Sequence, residues 1–179
     1  MGGVKELKPN SGSPYLQGYF RSYVKGMNNE ERYLGNINNI IFRSSYELLF
    51  CIIMDNDENI LKWSSENIRI QYLCPIEKRI KNYFPDFYVE KMVGDKIVRS
   101  IIEIKASSFL ELPKKPKDKT KLKSYKNKLK HVAINRTKIK VTKAYAERKG
   151  YEFVLLTDSY FKQFNLKLLL NKFYNREGN

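Results

Sequence analysis

The sequence has few of the residues on which thiol, imidazole and zinc chemistry depend. It contains two cysteines, Cys51 and Cys74, and one histidine, His131. The cysteines form no Cys-x-x-Cys pair and no Cys/His cluster of zinc spacing, so we interpret them as buried, reduced thiols of a cytoplasmic protein. His131 lies in a lysine-rich stretch without ligand-type neighbours, which argues against a Ser/His or Cys/His hydrolase.

The sequence also lacks a long apolar run. No stretch is long enough to span a bilayer, and neither end has the pattern of a signal peptide or a basic amphipathic anchor, so we expect no membrane partner. Positive charge is abundant instead, because 34 Lys and Arg against 19 Asp and Glu give a formal net charge of +15. Such a surface attracts polyanions, of which nucleic acid is the commonest, since each neutralised phosphate releases counterions.

Length and composition predict one folded domain with extensions. At 179 residues, 42% of them hydrophobic and 13% aromatic, the chain can bury one core but hardly two. Residues 1–43 are rich in Gly, Asn and Ser and predict a partly irregular N-terminal arm. Residues 44–158 are predicted to form the core, and residues 159–179 to contain a C-terminal helix.

The hydrophobic pattern of the core alternates between helical and strand periods. Ser44 and Glu47 form a capping-box signature ahead of the first helix. The predicted elements are a helix at 45–55, strands at 68–72, 83–89 and 97–104, a helix at 131–149 and a strand at 151–156. The turn at 93–96 joins the second and third strands as a hairpin. This order predicts an α/β fold with a mixed sheet flanked by helices.

Two acidic residues and one lysine are the candidates for chemistry. Side chains alternate along a strand, so Glu103 and Lys105 share one face of the predicted third strand, and the isoleucines on either side of Glu103 share the other. Asp86 opens the preceding strand within Phe-Pro-Asp-Phe. Antiparallel pairing across the hairpin is expected to bring Asp86 beside Glu103.

Two carboxylates held this close repel each other unless a cation shares the site. A hard divalent ion with oxygen ligands meets that need, so we predict Mg²⁺ (or Mn²⁺) bound by Asp86 and Glu103. Such an ion suits phosphodiester hydrolysis, because it can acidify a water and stabilise charge on phosphoryl oxygens. Lys105, a compact positive charge, could orient the water and neutralise the transition state.

Simpler explanations exist for the same residues. The Glu-x-Lys triplet occurs three times in the chain and carries little weight alone. Asp86 could merely end a turn after Pro85, and Glu103 with Lys105 could be an exposed ion pair. We favour the metal site, because a strand rich in isoleucine should be central, where charges need a partner.

Two other features leave a structural and a functional interpretation open. Glu47 could serve only as the capping partner of Ser44, or it could be an additional acidic residue of the site. Residues 113–130 carry nine lysines and two prolines and predict a mobile, solvated loop, for which we favour phosphate tracking over a plain solvated surface. The lysines predicted to bind nucleic acid are Lys114, Lys115, Lys117, Lys119, Lys121, Lys123, Lys126, Lys128 and Lys130.

The element order, with Pro85-Asp86 and Glu103-Ile104-Lys105 on consecutive strands, resembles the core of the PD-(D/E)xK nuclease superfamily. More narrowly, the chain resembles the head-completion endonuclease family of tailed bacteriophages, and it is also similar to the endonuclease subunit of certain transposons. The matching stretches are 17–20, 33–35, 42–47 (Phe-Arg-Ser-Ser-Tyr-Glu), 61–66, 83–87 and 102–105. One departure is Ala106-Ser107-Ser108, where the family pattern leads us to expect a proline after the lysine.

The resemblance implies a restriction-endonuclease-like fold and assigns roles to four residues. Glu47 would be the helix-borne acidic residue, Asp86 and Glu103 the metal ligands, and Lys105 the catalytic lysine. The family implies a DNA endonuclease that acts late in virion assembly, at the filled head and its portal before tail attachment. Portal or neck proteins would be its partners, and it would reside in the host cytoplasm during assembly or in the head-neck of the virion.

Two other classes of function stay open at this point. The chain could be a non-catalytic component of the virion neck or capsid that keeps the nuclease fold and binds DNA and neck proteins. It could also be a basic RNA-binding protein, although no glycine-aromatic RNA-binding signature supports that.

Overall fold

A four-stranded mixed sheet forms the centre of the protein in the computed structural model, which describes residues 16–21, 29–165 and 167–168. In chain order the elements are β1 (Gly18–Phe20), α1 (Asn29–Arg32), β2 (Ile40–Phe42), α2 (Ser45–Asn56), β3 (Ile60–Ser65), β4 (Ile70–Leu73), β5 (Ile80–Tyr83), β6 (Phe87–Val93), β7 (Lys96–Ile104), α3 (Leu122–Lys149), β8 (Glu152–Leu156) and α4 (Asp158–Phe161). The sheet order is β3-β6-β7-β8. Only the β7–β8 pair is parallel, and α3 supplies its crossover.

Helices cover both faces of this sheet. Buried side chains of α2, including Leu48 and Cys51, pack with Phe87 and Ile102 on one face. On the opposite face Ala146 of α3 packs with strand residues Tyr88 and Ile101. The predicted mixed α/β fold with flanking helices is therefore confirmed. In the described part of the chain, no helix is both long and apolar enough to cross a membrane.

The hairpin of β6 and β7 has the predicted register. Val93 pairs with Lys96 across the turn, and Phe87 pairs with Ile102 at the far end. Gly94 in the turn has φ +58, a left-handed conformation that glycine adopts without steric cost. The next position beyond the last pair places Asp86 opposite Glu103.

The strand predicted at 68–72 is present as β4, but its place in the central sheet was wrong, and the second predicted strand is divided. The first strand of the sheet is β3, whereas β4, at the predicted site, pairs with β5 in a separate two-stranded ribbon. Trp63 and Ser64 are both buried in β3, so this strand shows no alternation of apolar and polar residues. The predicted strand 83–89 is divided between β5 and β6, because Pro85 lies between them and has no N–H for a ladder.

Two helix predictions were also wrong in extent. The nine-lysine segment is not a loop throughout, since α3 begins at Leu122 rather than near 131. Lysine is a good helix former, and no Pro or Gly follows Pro116 before Gly150, where the helix ends in a left-handed C-cap. At the C-terminus α4 ends at Phe161 and residues 162–164 form turns, which interrupts the predicted terminal helix. Most of 166–179 lies outside the described residues.

Part of the predicted N-terminal arm is ordered against the core. β1 and β2 form an antiparallel pair, and Phe20 and Phe42 are buried in the main core. The rest of the arm, residues 1–15 and 22–28, lies outside the described residues. The predicted boundaries between arm, core and C-terminal segment stay predictions.

Candidate active site

Asp86 is fixed at the beginning of β6 by bonds to both neighbouring segments. Its Oδ2 accepts a hydrogen bond of 2.6 Å from the backbone amide of Ile104. Its own carbonyl accepts one of 3.0 Å from the amide of Glu66, directly after β3. Because both partners are backbone groups of adjacent strands, the position of the Asp86 carboxylate follows from the sheet itself.

Lys105 brings the two predicted metal ligands together. Its Nζ lies 2.6 Å from Glu103 Oε1 and 3.7 Å from Asp86 Oδ2. The same ammonium donates a 3.1 Å hydrogen bond to the carbonyl of Ile104. Three oxygens from two strands therefore surround one positive charge, and the predicted grouping of Asp86, Glu103 and Lys105 is present in the structure.

Burial sets the protonation behaviour of this group. Only 1% of Glu103 is exposed, and burial, with the nearby charge of Asp86, raises the pKa of its carboxyl to about 7. Burial alone would lower the pKa of Lys105, but the carboxylates of Asp86 and Glu103 outweigh it and raise that pKa above its ordinary value. The ammonium is thus charged at neutral pH, while Glu103 is poised between its two forms.

Glu47 lies next to this group and has a structural bond as well. Its Oε2 accepts a 2.7 Å hydrogen bond from the amide of Arg43, one residue earlier than a capping box predicts. Ser44 Oγ accepts from the Glu47 amide at 3.2 Å and donates to its Oε1 at 2.9 Å. Burial, followed by the charge of Asp86, raises the pKa of Glu47 to about 8. The capping role is present, and Glu47 is also electrostatically linked to Asp86.

An open cleft reaches Glu47 and Lys105 from the surface, whereas Asp86 and Glu103 are not among its lining residues. The active-site cleft has a volume of about 290 Å³, and Arg43, Glu47, Lys105 and Phe109 are among its lining residues. Ala106 and Ser107, where the resemblance leads us to expect a proline, begin a short 3-10 turn at its edge. The Ser107 amide donates a 2.7 Å hydrogen bond to Asp158, which ties this turn to the end of β8.

Three side chains next to Glu103 were not predicted from the sequence, namely those of Tyr83, Lys138 and Thr142. The Tyr83 hydroxyl donates to Glu103 Oε2. Lys138 of α3 lies with its Nζ 4.7 Å from the centre of the Tyr83 ring, and burial lowers the pKa of Lys138, with the charge of Lys105 adding to the effect. Thr142, one turn further along α3, is fully buried against Tyr83. The four-residue spacing of Lys138 and Thr142 predicts that both lie on one face of a helix. It does not predict that this face packs against Tyr83.

Arg43 was also missed as a member of the site. It forms an ion pair with Glu66, with Nε 2.5 Å from Oε1. The carboxylate of Glu66, and to a smaller extent those of Glu47 and Asp86, raise the pKa of Arg43. Glu66 itself has φ +48, so the backbone that supports Asp86 takes an unusual conformation at this point.

The donor set is compatible with a small divalent cation. Glu103 Oε1 is buried and, in the described part of the chain, contacts only the Lys105 ammonium at 2.6 Å, so a second lone pair of this oxygen can face a cation. Among the described residues no cluster of three or more His, Cys, Asp and Glu forms a metal site. Mg²⁺ commonly uses one or two carboxylates and completes its shell with water and substrate phosphate, so Asp86 and Glu103 suffice as protein ligands.

The nine predicted nucleic-acid-binding lysines are all exposed. Those from Lys123 onward lie on the first turns of α3, and the others precede that helix. The structure therefore spreads them along one end of α3 and the segment that leads into it. His131, to which the sequence assigned no chemistry, lies among them.

Comparison with known proteins agrees with this geometry. Residues 57–158, more than half of the chain, match the family model described as "TnsA-like endonuclease N terminal". The chain is 29% identical over 141 residues to the head completion nuclease of Enterobacteria phage T4, an alignment covering 78% of this chain and 92% of that protein. No solved structure matches. The expected kinship with nucleases is confirmed, and the chain belongs to the family of TnsA-like endonuclease N-terminal domains.

Proposed function

We propose that this chain is a magnesium-dependent DNA endonuclease that acts in phage head completion. The observation that supports it most directly is the ammonium of Lys105, which lines an open cleft and lies 2.6 Å from Glu103 and 3.7 Å from Asp86. Two carboxylates and a lysine grouped in this way serve phosphodiester hydrolysis better than any other reaction that a basic, histidine-poor chain could perform.

Asp86 and Glu103 would hold the divalent ion in this proposal. When bound, such an ion supplies positive charge beside the phosphoryl oxygens and acidifies water. Asp86 is pre-oriented for this by the Ile104 amide, and Glu103 by the Tyr83 hydroxyl. These bonds fix the orientation of the two carboxylates that would hold the ion.

Lys105 and Glu47 would act on the phosphate and on protons at the open side of the group. The charged Lys105 ammonium lines the cleft, where it can neutralise a non-bridging phosphate oxygen. Glu47 lines the same cleft, and a pKa of about 8 allows it to exchange a proton near neutral pH. The nine exposed lysines would bind the DNA backbone where it runs along the N-terminal end of α3.

The place of action is proposed from the T4 relative, which is named a head completion nuclease. We infer that the present chain cuts DNA at the filled head, at or near the portal, before tail attachment. Its protein partners would be portal or neck proteins. It would work in the host cytoplasm during assembly and could stay in the head-neck of the virion.

The enzymatic part is tested by incubating linear and branched duplex DNA with the purified chain in Mg²⁺, in Mn²⁺ and in EDTA. Cleavage is expected with either metal and not in EDTA. Asp86→Asn and Glu103→Gln should each lower the rate by at least roughly 10²–10³, the loss typical of removing one essential electrostatic group. Glu152→Gln, an exposed carboxylate on β8, is the matched control and should cleave normally.

Two results would overturn this proposal. Cleavage that persists in both Asp86→Asn and Glu103→Gln would place the activity elsewhere. Intact DNA with every metal, together with salt-sensitive binding, would favour a non-catalytic DNA-binding component of the virion neck. The assembly role is tested separately with phage carrying Glu103→Gln, which should accumulate filled heads without tails. Normal tailed particles would refute that role.

A further inference from the structure

A second cavity lies beside the active-site cleft, and the proposed chemistry does not use it. It has a volume of about 720 Å³ and lies between the segment 108–116 and the first turns of α3. We call it the basic groove and define it by Phe109, Lys114, Lys121, Tyr125 and Lys128. Phe109 lines both the basic groove and the active-site cleft, so the two cavities are neighbours.

The segment that carries Phe109 is hydrogen-bonded to α3. Asn135 Nδ2 donates a 3.3 Å hydrogen bond to the Phe109 carbonyl, and an Arg136 guanidinium nitrogen donates one of 3.3 Å to the carbonyl of Leu110. Val132, which lines the base of the groove, is buried. Both sides of the groove are therefore held in place, one by hydrogen bonds to α3 and the other by the burial of Val132.

One face of α3 connects the basic groove to the active site. Tyr125 and Lys128 line the groove, Asn135 bonds to its wall, and Lys138 reaches Tyr83 behind Glu103. Steps of seven and three residues keep Lys128, Asn135 and Lys138 within about 80° of one another around the helix. Lys128 and Lys138 are about 15 Å apart at 1.5 Å per residue. That length corresponds to about four stacked nucleotides of one strand.

The lining of the groove has the chemistry of a nucleic-acid strand site. Lys114, Lys121 and Lys128 face one acidic residue, Glu111, so positive charge predominates. Phe109 is 40% exposed, although large apolar side chains are usually covered. Exposed aromatic rings among lysines are the arrangement on which unpaired bases stack while the backbone follows the charge.

We propose that the basic groove holds a single DNA strand that leaves the active-site cleft past Phe109. Its phosphates would contact Lys121 and Lys128, and a base would stack on Phe109 or Tyr125. A cavity of this size accepts one or two nucleotides. A duplex would leave Phe109 and Tyr125 without a stacking partner, because its bases already stack on one another. The inference rests on the proposed nuclease function and specifies its substrate, which is DNA with an unpaired strand beside the cleavage point.

Strand binding is measured first, without catalysis. Fluorescence anisotropy with a labelled ten-nucleotide oligothymidine in EDTA is recorded for the full chain and for Tyr125→Ala, which should bind roughly 10-fold more weakly. The Lys121→Ala/Lys128→Ala variant should reduce the slope of log affinity against log salt by about 0.7 per lysine. Controls are Tyr19→Ala, an exposed tyrosine on β1, and Lys96→Ala, at the hairpin end far from Asp86. Both should bind like the native chain.

Cleavage then decides the substrate class. Forked DNA with an unpaired arm should be cut at least roughly 10-fold faster than blunt duplex of the same sequence. Tyr125→Ala should abolish that preference, whereas the control Tyr19→Ala should keep it. Equal cutting of forked and blunt DNA, native oligothymidine affinity in Tyr125→Ala, or tighter binding to RNA of equal length would each overturn the inference. Failure of the nuclease proposal is distinguishable, because then no DNA is cut although the binding differences can still be measured.

Discussion

Glu103→Gln is predicted to stabilise the metal-free protein at alkaline pH. Burial and the charge of Asp86 raise the pKa of this carboxyl from an ordinary 4.5 to about 7 in the folded state. The folded chain therefore holds a proton that the unfolded chain has already released. Stability from this group is fully present below pH 4.5 and is lost as pH rises through about 7.

The size of the effect follows from the same difference. At about 1.4 kcal/mol per pKa unit, ionising Glu103 in the folded protein removes about 3 kcal/mol of stability by pH 8.5. Because only 1% of Glu103 is exposed, solvent screens little of this cost. A glutamine has the same shape and never ionises. The variant should therefore match the native chain near pH 4 and exceed its stability by about 3 kcal/mol at pH 8.5.

Urea unfolding in EDTA measures this difference at each pH. The single tryptophan, Trp63, is 1% exposed and packs against Phe87 of the neighbouring strand, so its fluorescence reports the loss of the core. Glu152→Gln makes the same change of net charge at an exposed position and should alter stability by less than about 0.5 kcal/mol. A Glu103→Gln variant that is no more stable than the native chain at pH 8.5 would refute the argument from burial.

Three further outcomes are expected from the same site. Lys105→Met leaves two carboxylates without their counter-ion, so in EDTA it should lower the urea-unfolding free energy by about 3–5 kcal/mol at pH 8.5. The loss should be clearly smaller at pH 6, where Glu103 is protonated. An equal loss at both pH values would contradict this. Tyr83→Phe removes the hydroxyl that donates to buried Glu103, so it should lower the urea-unfolding free energy by about 1–3 kcal/mol. It should also raise the pH at which Mg²⁺ begins to bind, because the hydroxyl lowers the pKa of Glu103. Unchanged Mg²⁺ binding would show that the bond has no positioning role. Titration calorimetry of Mg²⁺ at pH 7 in two buffers of different ionisation enthalpy should show proton release. The reason is that burial raises the pKa of Glu103 to about 7 and that of Glu47 to about 8. Heats that do not depend on the buffer would contradict those values.

The part of the site that lies on one hairpin could be predicted from sequence. Alternation along β7 and the two-residue turn at Gly94 determine which residues of β6 and β7 are opposite each other. Local rules of this kind were sufficient to place Asp86 beside Glu103 and Lys105 on the same face. They worked because the contacting residues are joined by a short turn whose geometry is encoded in its own residues.

The strands and helix ends that were mispredicted depend on tertiary surroundings. β3 is buried on both sides, since α2 and the β1–β2 arm pack around Trp63, so its sequence has no alternating pattern. Leu122, Tyr125 and Leu129 are partly buried and lie at helical spacing before the buried Val132, but the lysines between them give the segment the composition of a loop. Once a helix is nucleated by packing, good helix formers prolong it at little cost, and composition alone does not show where it starts.

The contacts behind Glu103 could not be inferred from any local pattern. Tyr83 reaches it from 20 residues earlier, and Lys138 and Thr142 come from the crossover helix, whose register over the sheet depends on how Ala146 packs against Ile101. A buried carboxylate nonetheless requires such partners, because its desolvation must be offset by hydrogen bonds and positive charge. The carboxylate of Glu103 therefore predicts that a donor and a cation exist near it. The sequence already identifies the cation as Lys105, whereas only the fold identifies the donor as Tyr83, with Lys138 beyond it.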